Sequence, residues 1–211
     1  MQITIALAKG RLADKAMEIL EKCGVACTAM KEKSRKLILF DDKNDIRFIL
    51  VKPTDVPTYV DHGVADLGFV GKDTLMEAEL PLYEMADLKF GACKLAIAGY
   101  PAKKDNSLTT SILRVATKYP NVAKKYYASK GVSIECIKLN GSVELGPMLG
   151  MADVILDIVE SGRTLVENGL VVLEDVAPVS ARLAVNRASL KIKSKVLTPL
   201  IADIRRVVEE N

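Results

Sequence analysis

The chain has 211 residues, 49% of them hydrophobic and 27% charged, with 30 Lys and Arg against 27 Asp and Glu for a net charge of +3. That length fits one domain or two small lobes hiding roughly 70% of their unfolded surface, and the apolar content excludes a disordered chain. No uncharged run exceeds eight residues, whereas a membrane helix needs about 20 apolar positions; low net charge and 5% aromatics also make a poor nucleic-acid footprint.

Met1-Gln2-Ile3-Thr4-Ile5 offers no basic leader before an apolar core, so no secretory signal is expected. Cys23, Cys27, Cys93 and Cys136 form no CxxC pair, and with a single His a zinc site would need carboxylate ligands. The cysteines read as small buried thiols in a reducing cytoplasm. The expected setting is cytoplasmic.

Ile3 to Ala8 reads as a strand covered on both faces. Lys9-Gly10-Arg11 breaks it, and Leu12, Ala16, Ile19 and Leu20 mark a helix that ends at Gly24. Lys36–Phe40 and Ile46–Val51 read as strands joined by a polar turn, Asp41 to Asp45. Pro53 opens a short helix running to His62, Ala65–Val70 is a further buried strand, and a helix follows over Asp73–Glu79. Leu88 to Tyr100 is too long for one strand and lacks a helical stripe, so it reads as a crossing into a second lobe. After a loop from Pro101 to Ser107, that lobe is expected to hold three strand–helix units: Ile112–Thr117 with Pro120–Lys130, Ser133–Leu139 with Val143–Leu149, and Asp153–Val159 with Thr164–Asn168. Leu170 to Val185 returns the chain, and Leu197–Glu210 forms a last amphipathic helix. The expected architecture is α/β and two-lobed with a double crossover. Lobe I takes residues 1–93 plus 176–211, and lobe II takes 94–175. A cleft between such lobes would collect loops from the carboxyl ends of the strands.

The strongest chemical signal is Asp157-Ile158-Val159-Glu160-Ser161-Gly162-Arg163-Thr164. A buried strand runs into two carboxylates and then a bend in which Gly162 lets successive amides turn inward as an anion nest. The Ser161 and Thr164 hydroxyls can donate to phosphate oxygens, and Arg163 can add charge. Asp157 and Glu160 would repel an anion unless they meet sugar hydroxyls, Mg²⁺ or a developing cation, so the pattern suits a ribose 5-phosphate. A plain strand–turn–helix junction with Ser161 as the cap explains the same residues. Lys9-Gly10-Arg11 places two cations at a helix N-terminus, where the dipole prefers acids; an anionic ligand or simple solvation accounts for them. Lys52, in Lys52-Pro53-Thr54-Asp55, is a third cation after a strand. Glu144 stands in the first turn of a helix, where an acid is expected anyway. Asp66 and His62 read as structural, and the basic stretch Arg182, Arg187, Lys191, Lys193, Lys195 reads as a solvated edge. On the residues alone, a phosphoribosyl-transferring enzyme and a non-enzymatic cytosolic two-lobed anion-binding or sensor protein both remain open.

Ala6-Leu7-Ala8-Lys9-Gly10-Arg11-Leu12, Asp55 to Val60, Gly63 to Gly68, Ala116 to Pro120, Gly141 to Glu144, Ala152 to Leu165 and Asn168-Gly169-Leu170 together resemble the ATP phosphoribosyltransferase family, in order over nearly the whole chain. The resemblance is to the short form. It implies transfer of the phosphoribosyl group of 5-phosphoribosyl 1-pyrophosphate (PRPP) to adenine N1 of ATP, the first step of histidine biosynthesis, with Mg²⁺ held mainly by substrate phosphates. It also implies a fold like a type II periplasmic binding protein. By the same resemblance, Asp157 to Thr164 holds PRPP, Glu144 approaches the ribose, and Lys9 to Arg11 and Lys52 hold nucleotide phosphates, with Glu144, Asp157 and Glu160 as the catalytic set. The family often has Pro where this chain has Ala8, Arg at Lys52 and Thr at Ser161; Lys52 keeps the charge without the bidentate fork. Long forms add a C-terminal histidine-binding domain that this chain is expected to lack. Short forms are expected to self-associate and to work with a regulatory subunit similar to histidyl-tRNA synthetase.

Overall fold

The computed structural model describes residues 2–31, 35–41, 43, 45–101 and 112–210; most of the expected Pro101–Ser107 loop and part of the Asp41–Asp45 turn lie outside them. In chain order the elements are β1 (Ile3–Ala8), α1 (Arg11–Lys22), α2 (Thr28–Lys31), β2 (Ile38–Asp41), β3 (Ile46–Val51), a 3₁₀ turn (Pro53–Asp55) leading into α3 (Val56–Asp61), β4 (Leu67–Gly71), α4 (Lys72–Ala78) and β5 (Tyr83–Asp87). They continue with β6 (Cys93–Gly99), β7 (Leu113–Thr117), α5 (Pro120–Ser129), β8 (Ile134–Lys138), α6 (Leu145–Met148), β9 (Val154–Val159), α7 (Arg163–Glu167) and β10 (Val171–Val179). The last are β11 (Ala181–Val185), α8 (Arg187–Ile192) and α9 (Ser194–Glu209). The chain forms two compact units, Met1–Gly91 with Ser180–Asn211, and Ala92–Val179.

In the first unit the strand order is β2-β3-β1-β4-β11-β5, with β1 parallel to both β3 and β4. All six residues of β1 are buried because the sheet is covered twice. Ile3, Ile5 and Leu7 join α1 and α9 through Leu20, Ile201 and Ile204, while Ala6 and Ala8 meet Val56 and Val60 of α3. Small residues on that second face let α3 approach closely; a Cβ on Gly68 would stand 2.6 Å from Val56 Cγ1. The chain passes from β1 to β2 and β3 on one side and then crosses from β3 to β4 on the other, so a topological switch point lies between β1 and β4. Loops at the carboxyl ends of such strands are the usual ligand sites.

Three elements went unforeseen, the four-residue α2 among them. β5, Tyr83-Glu84-Met85-Ala86-Asp87, carries two acids and lies at the sheet edge, where alternation is weak. α8 begins where the Asn186 side chain accepts from the Ser189 amide at 2.8 Å, and Asn186 Nδ2 donates to the carbonyls of Val60 and Asp61. The basic stretch is not a solvated edge throughout. Arg182 pairs with Glu84 at 3.3 Å and Asp87 at 3.0 Å. Lys193 Nζ meets Asp66, only 2% exposed, at 2.7 Å and donates also to the Gln2 carbonyl. Asp66 accepts the Thr4 amide at 2.8 Å too, tying β1, β4 and the start of α9 together as the structural role expected of it.

In the second unit the order is β10-β6-β9-β7-β8, with β9, β7 and β8 parallel and β6 antiparallel to both β9 and β10. Pro178 is accommodated because β10 is an edge strand. Alternate residues of β9, Ile155 and Val159, pack with Val143, Leu165 and Leu170. The chain moves from β7 outward to β8 and then back across β7 to β9, so the switch point of this sheet lies between the carboxyl ends of β7 and β9. Among the described residues no disulfide joins the cysteines, and no helix is long and apolar enough to cross a membrane.

Candidate active site

The carboxyl end of β9 runs straight into the bend singled out by the sequence. Asp157 shares a strand face with Ile155 and Val159, both buried in the core, and is itself partly buried. Glu160 is exposed, one residue past the strand. Gly162 then takes a left-handed conformation, φ +72°, and the chain turns into α7. That backbone geometry costs an L side chain about 1–2 kcal/mol and costs glycine nothing comparable.

Ser161 Oγ accepts the Arg163 amide at a long 3.4 Å. The hydroxyl therefore gives α7 a loose local cap and keeps its own proton to donate. The amides of Thr164 and Leu165 belong to the first turn, which has no carbonyl of its own helix to bond. Asn168 Nδ2 donates to the Thr164 carbonyl at 2.8 Å and braces the far side of the turn. Arg163 points along the helix surface, its Nε 3.8 Å from Glu167 and its side chain 82% exposed. The positive character of the bend thus comes from backbone and hydroxyl groups more than from the guanidinium.

Glu144 arrives from the other side of β9's core. It immediately precedes α6, behind a tight turn in which Ser142 adopts φ +49° and Val143 is buried. Gly146 lets α6 sit on the sheet, since a Cβ there would come within 2.8 Å of the Ala116 Cβ. A cavity of about 240 Å³ results, lined by Glu144, Asp157, Glu160, Ser161, Gly162, Arg163 and Thr164 together with Ile158, Val159 and Leu165. These apolar walls went unread in the sequence, where Ile158, Val159 and Leu165 carry only the signature of strand and helix packing. Three carboxylates lining one cavity with the first turn of a helix can hold a phosphorylated sugar whose ring gains positive charge. Carboxylates and amides of this kind cannot both be satisfied by a bare anion.

Lys9, Gly10, Arg11 and Lys52 are brought together elsewhere, in the first unit. The register Ala8↔Val51 on adjacent parallel strands puts Lys9 and Lys52 side by side at the carboxyl edge of that sheet. All four residues are exposed, Gly10 takes φ +110° before α1, and no side chain caps that helix. His62 is exposed at the end of α3.

The family model described as HisG: ATP phosphoribosyltransferase matches residues 52–206, well over half the chain. The ATP phosphoribosyltransferase of Caldanaerobacter subterraneus subsp. tengcongensis is 54% identical over 206 residues, 98% of this chain and 97% of the relative. That of Thermoanaerobacter pseudethanolicus is 55% identical over 207 residues, 98% and 96% respectively. Among solved structures, the ATP phosphoribosyl transferase (HisG:HisZ) complex from Thermotoga maritima superposes with a TM-score of 0.84 at 37% identity, covering 99% of this chain and 98% of that one. The architecture of two α/β units with two crossings is that of the type II periplasmic-binding-protein-like fold. These likenesses favour an enzyme over an anion-binding or sensor module. With a glycine-centred bend and three carboxylates around one cavity, and with near-full-length relatives at more than half identity, the chain belongs to the ATP phosphoribosyltransferase family.

Proposed function

We propose that the chain transfers the 5-phosphoribosyl group of PRPP to N1 of ATP, giving N1-(5-phosphoribosyl)-ATP and pyrophosphate, the first step of histidine biosynthesis. The observation that carries this reading is the single cavity in which the Ser161–Thr164 bend adjoins Glu144, Asp157 and Glu160. In this reading the lobe of residues 94–175 carries the PRPP loop. Lys9, Gly10, Arg11 and Lys52, on the lobe of residues 1–93 and 176–211, hold nucleotide phosphates.

The adenine N1 lone pair forms the new bond to the ribose anomeric carbon. The bond from that carbon to the pyrophosphate oxygen breaks, and its electron pair leaves with pyrophosphate. N1 of neutral adenine has no proton to lose, so no general base is needed. Departure of the leaving group runs ahead of attack by so weak a nucleophile, and positive charge gathers on the ribose. The bend amides and the Ser161 and Thr164 hydroxyls hold the 5-phosphate, while Asp157, Glu160 and Glu144 engage ribose hydroxyls and stabilise the cation. Catalysis is then alignment and preorganised electrostatics.

Mg²⁺ fits this chain as an ion carried chiefly by substrate. Among the described residues no three His, Cys, Asp or Glu side chains converge to hold a metal, yet the cavity carboxylates are the hard oxygen donors that Mg²⁺ accepts beside substrate phosphates. When bound, it supplies charge neutralisation for the departing pyrophosphate. The neighbouring complex joins a HisG to a HisZ, and by analogy we place this chain in the cytoplasm, self-associated and bound to a histidyl-tRNA-synthetase-like regulatory subunit. The test mixes ATP, PRPP and Mg²⁺ with the protein, with and without that subunit, and follows the ultraviolet absorbance of N1-substituted adenine. No turnover in either mixture would overturn the assignment. A co-crystal with PRPP locates the 5-phosphate on, or away from, the Ser161–Thr164 amides.

A further inference from the structure

β7 and β9 run side by side for three residues only, in the register Val115↔Val154, Ala116↔Ile155 and Thr117↔Leu156. Beyond Leu156, among the described residues, β9 is paired on its β6 side alone, through Asp157↔Ala96, Ile158↔Leu95 and Val159↔Lys94. The ladder therefore ends one residue before the carboxylate that matters, at the switch point of the sheet. A side chain takes over there. Thr117 Oγ1 donates to the Leu156 carbonyl at 2.7 Å and accepts the Tyr119 amide at 2.8 Å. Thr117 is wholly buried, and its carbonyl accepts the Leu139 amide from just past the neighbouring strand.

A hydroxyl has one proton, and this one is committed to Leu156. With that proton spent and its side chain wholly buried, Thr117 has no hydrogen bond to donate to a substrate. What it fixes is the plane of the Leu156–Asp157 peptide, and with it the direction in which Asp157 leaves the sheet. The same hydroxyl pins the turn that starts α5, and strand β7 cannot slide along β9 without breaking its buried bond to Leu156. We propose that Thr117 is a positioning residue for Asp157, acting through the Leu156 carbonyl. This rests on the phosphoribosyl-transfer reading of the cavity. Misplacing a catalytic group by about 1 Å typically costs on the order of 100-fold in rate.

The experiment is a double-mutant cycle on the full chain with its regulatory subunit present, using T117V, T117S, D157N and T117V/D157N. Because Val is isosteric but has no hydroxyl, T117V is expected to lower kcat roughly 10- to 100-fold, with calorimetric PRPP stoichiometry unchanged. T117S keeps the hydroxyl and is expected within about threefold of wild type. In the D157N background, adding T117V should lower kcat by less than about threefold, because the two residues act as one unit. Multiplicative losses in the double variant, wild-type kcat in T117V, or equal damage from T117V and T117S would each overturn the proposal. Should T117V fail to fold, T117A replaces it in the same cycle. If wild type shows no turnover, the function fails separately. Amide hydrogen exchange then decides: T117V, and not T117S, must lose protection at Asp157 and Tyr119.

Discussion

Replacing Gly162 by Ala isolates what the bend contributes. A methyl group there would meet only Val159 Cγ1, at 3.8 Å, an ordinary contact, so crowding is not the cost. The cost is φ +72°, which destabilises an alanine by about 1–2 kcal/mol. The second unit contains a matched control: Gly131, closing α5, has φ +69°, and a Cβ added there would meet nothing within 4 Å. G131A and G162A should therefore lose similar stability, each lowering the calorimetric midpoint by roughly 2–8 °C. They should part company on ligand binding. At Gly162 the strain is relieved by rotating the bend and turning an amide away from the phosphate. One hydrogen bond to a charged group contributes about 1.5–3 kcal/mol, so PRPP affinity should fall roughly 10- to 150-fold in G162A and stay unchanged in G131A. Isothermal titration calorimetry with PRPP and Mg²⁺ reads this directly. Unchanged affinity in a folded G162A, or equal losses in both variants, would refute the phosphate nest. G162N should fall between Gly and Ala, since Asn tolerates the left-handed region better.

Asp157→Asn should reduce kcat by about 2–4 kcal/mol of transition-state stabilisation while leaving PRPP binding in place; steady-state turnover within twofold of wild type would remove Asp157 from the catalytic set. Lys193→Met takes the ammonium at 2.7 Å away from the Asp66 carboxylate, which is 2% exposed and keeps the Thr4 amide at 2.8 Å. The buried charge left behind should destabilise the first unit by roughly 3 kcal/mol in urea melts, and adding Asp66→Asn to that variant should recover part of the loss. At the start of β9, the Arg114 guanidinium and amide hold Asp153 below its ordinary 3.8. A lowered carboxylate stabilises the fold fully above its unfolded value, and that contribution disappears as pH falls through the folded value. Arg114→Met should return the Asp153 titration toward 3.8 in carbon-detected NMR and flatten the acid limb of stability; an unmoved titration would contradict the assigned cause.

Much of this protein is legible without coordinates, because strands buried on both faces and helices with one apolar stripe leave local periodicities. Ile3–Ala8, Arg11–Lys22 and Val154–Val159 announce themselves that way, and so does the glycine between Ser161 and Arg163, since a tight bend after a buried strand needs a left-handed residue. The ordered motifs from Ala6 to Leu170 carry the family as well. Local pattern could not show β5, whose Glu84 and Asp87 look like loop residues until Arg182, almost a hundred positions later, neutralises them. Nor could it show that Lys193 closes on Asp66, or that Glu144 comes to line a cavity with residues 157–165. Those facts depend on sheet order and on which side a crossover returns. They come from long-range packing, in which residues distant in the chain meet only once the apolar faces have been buried together, and no window of sequence contains that information.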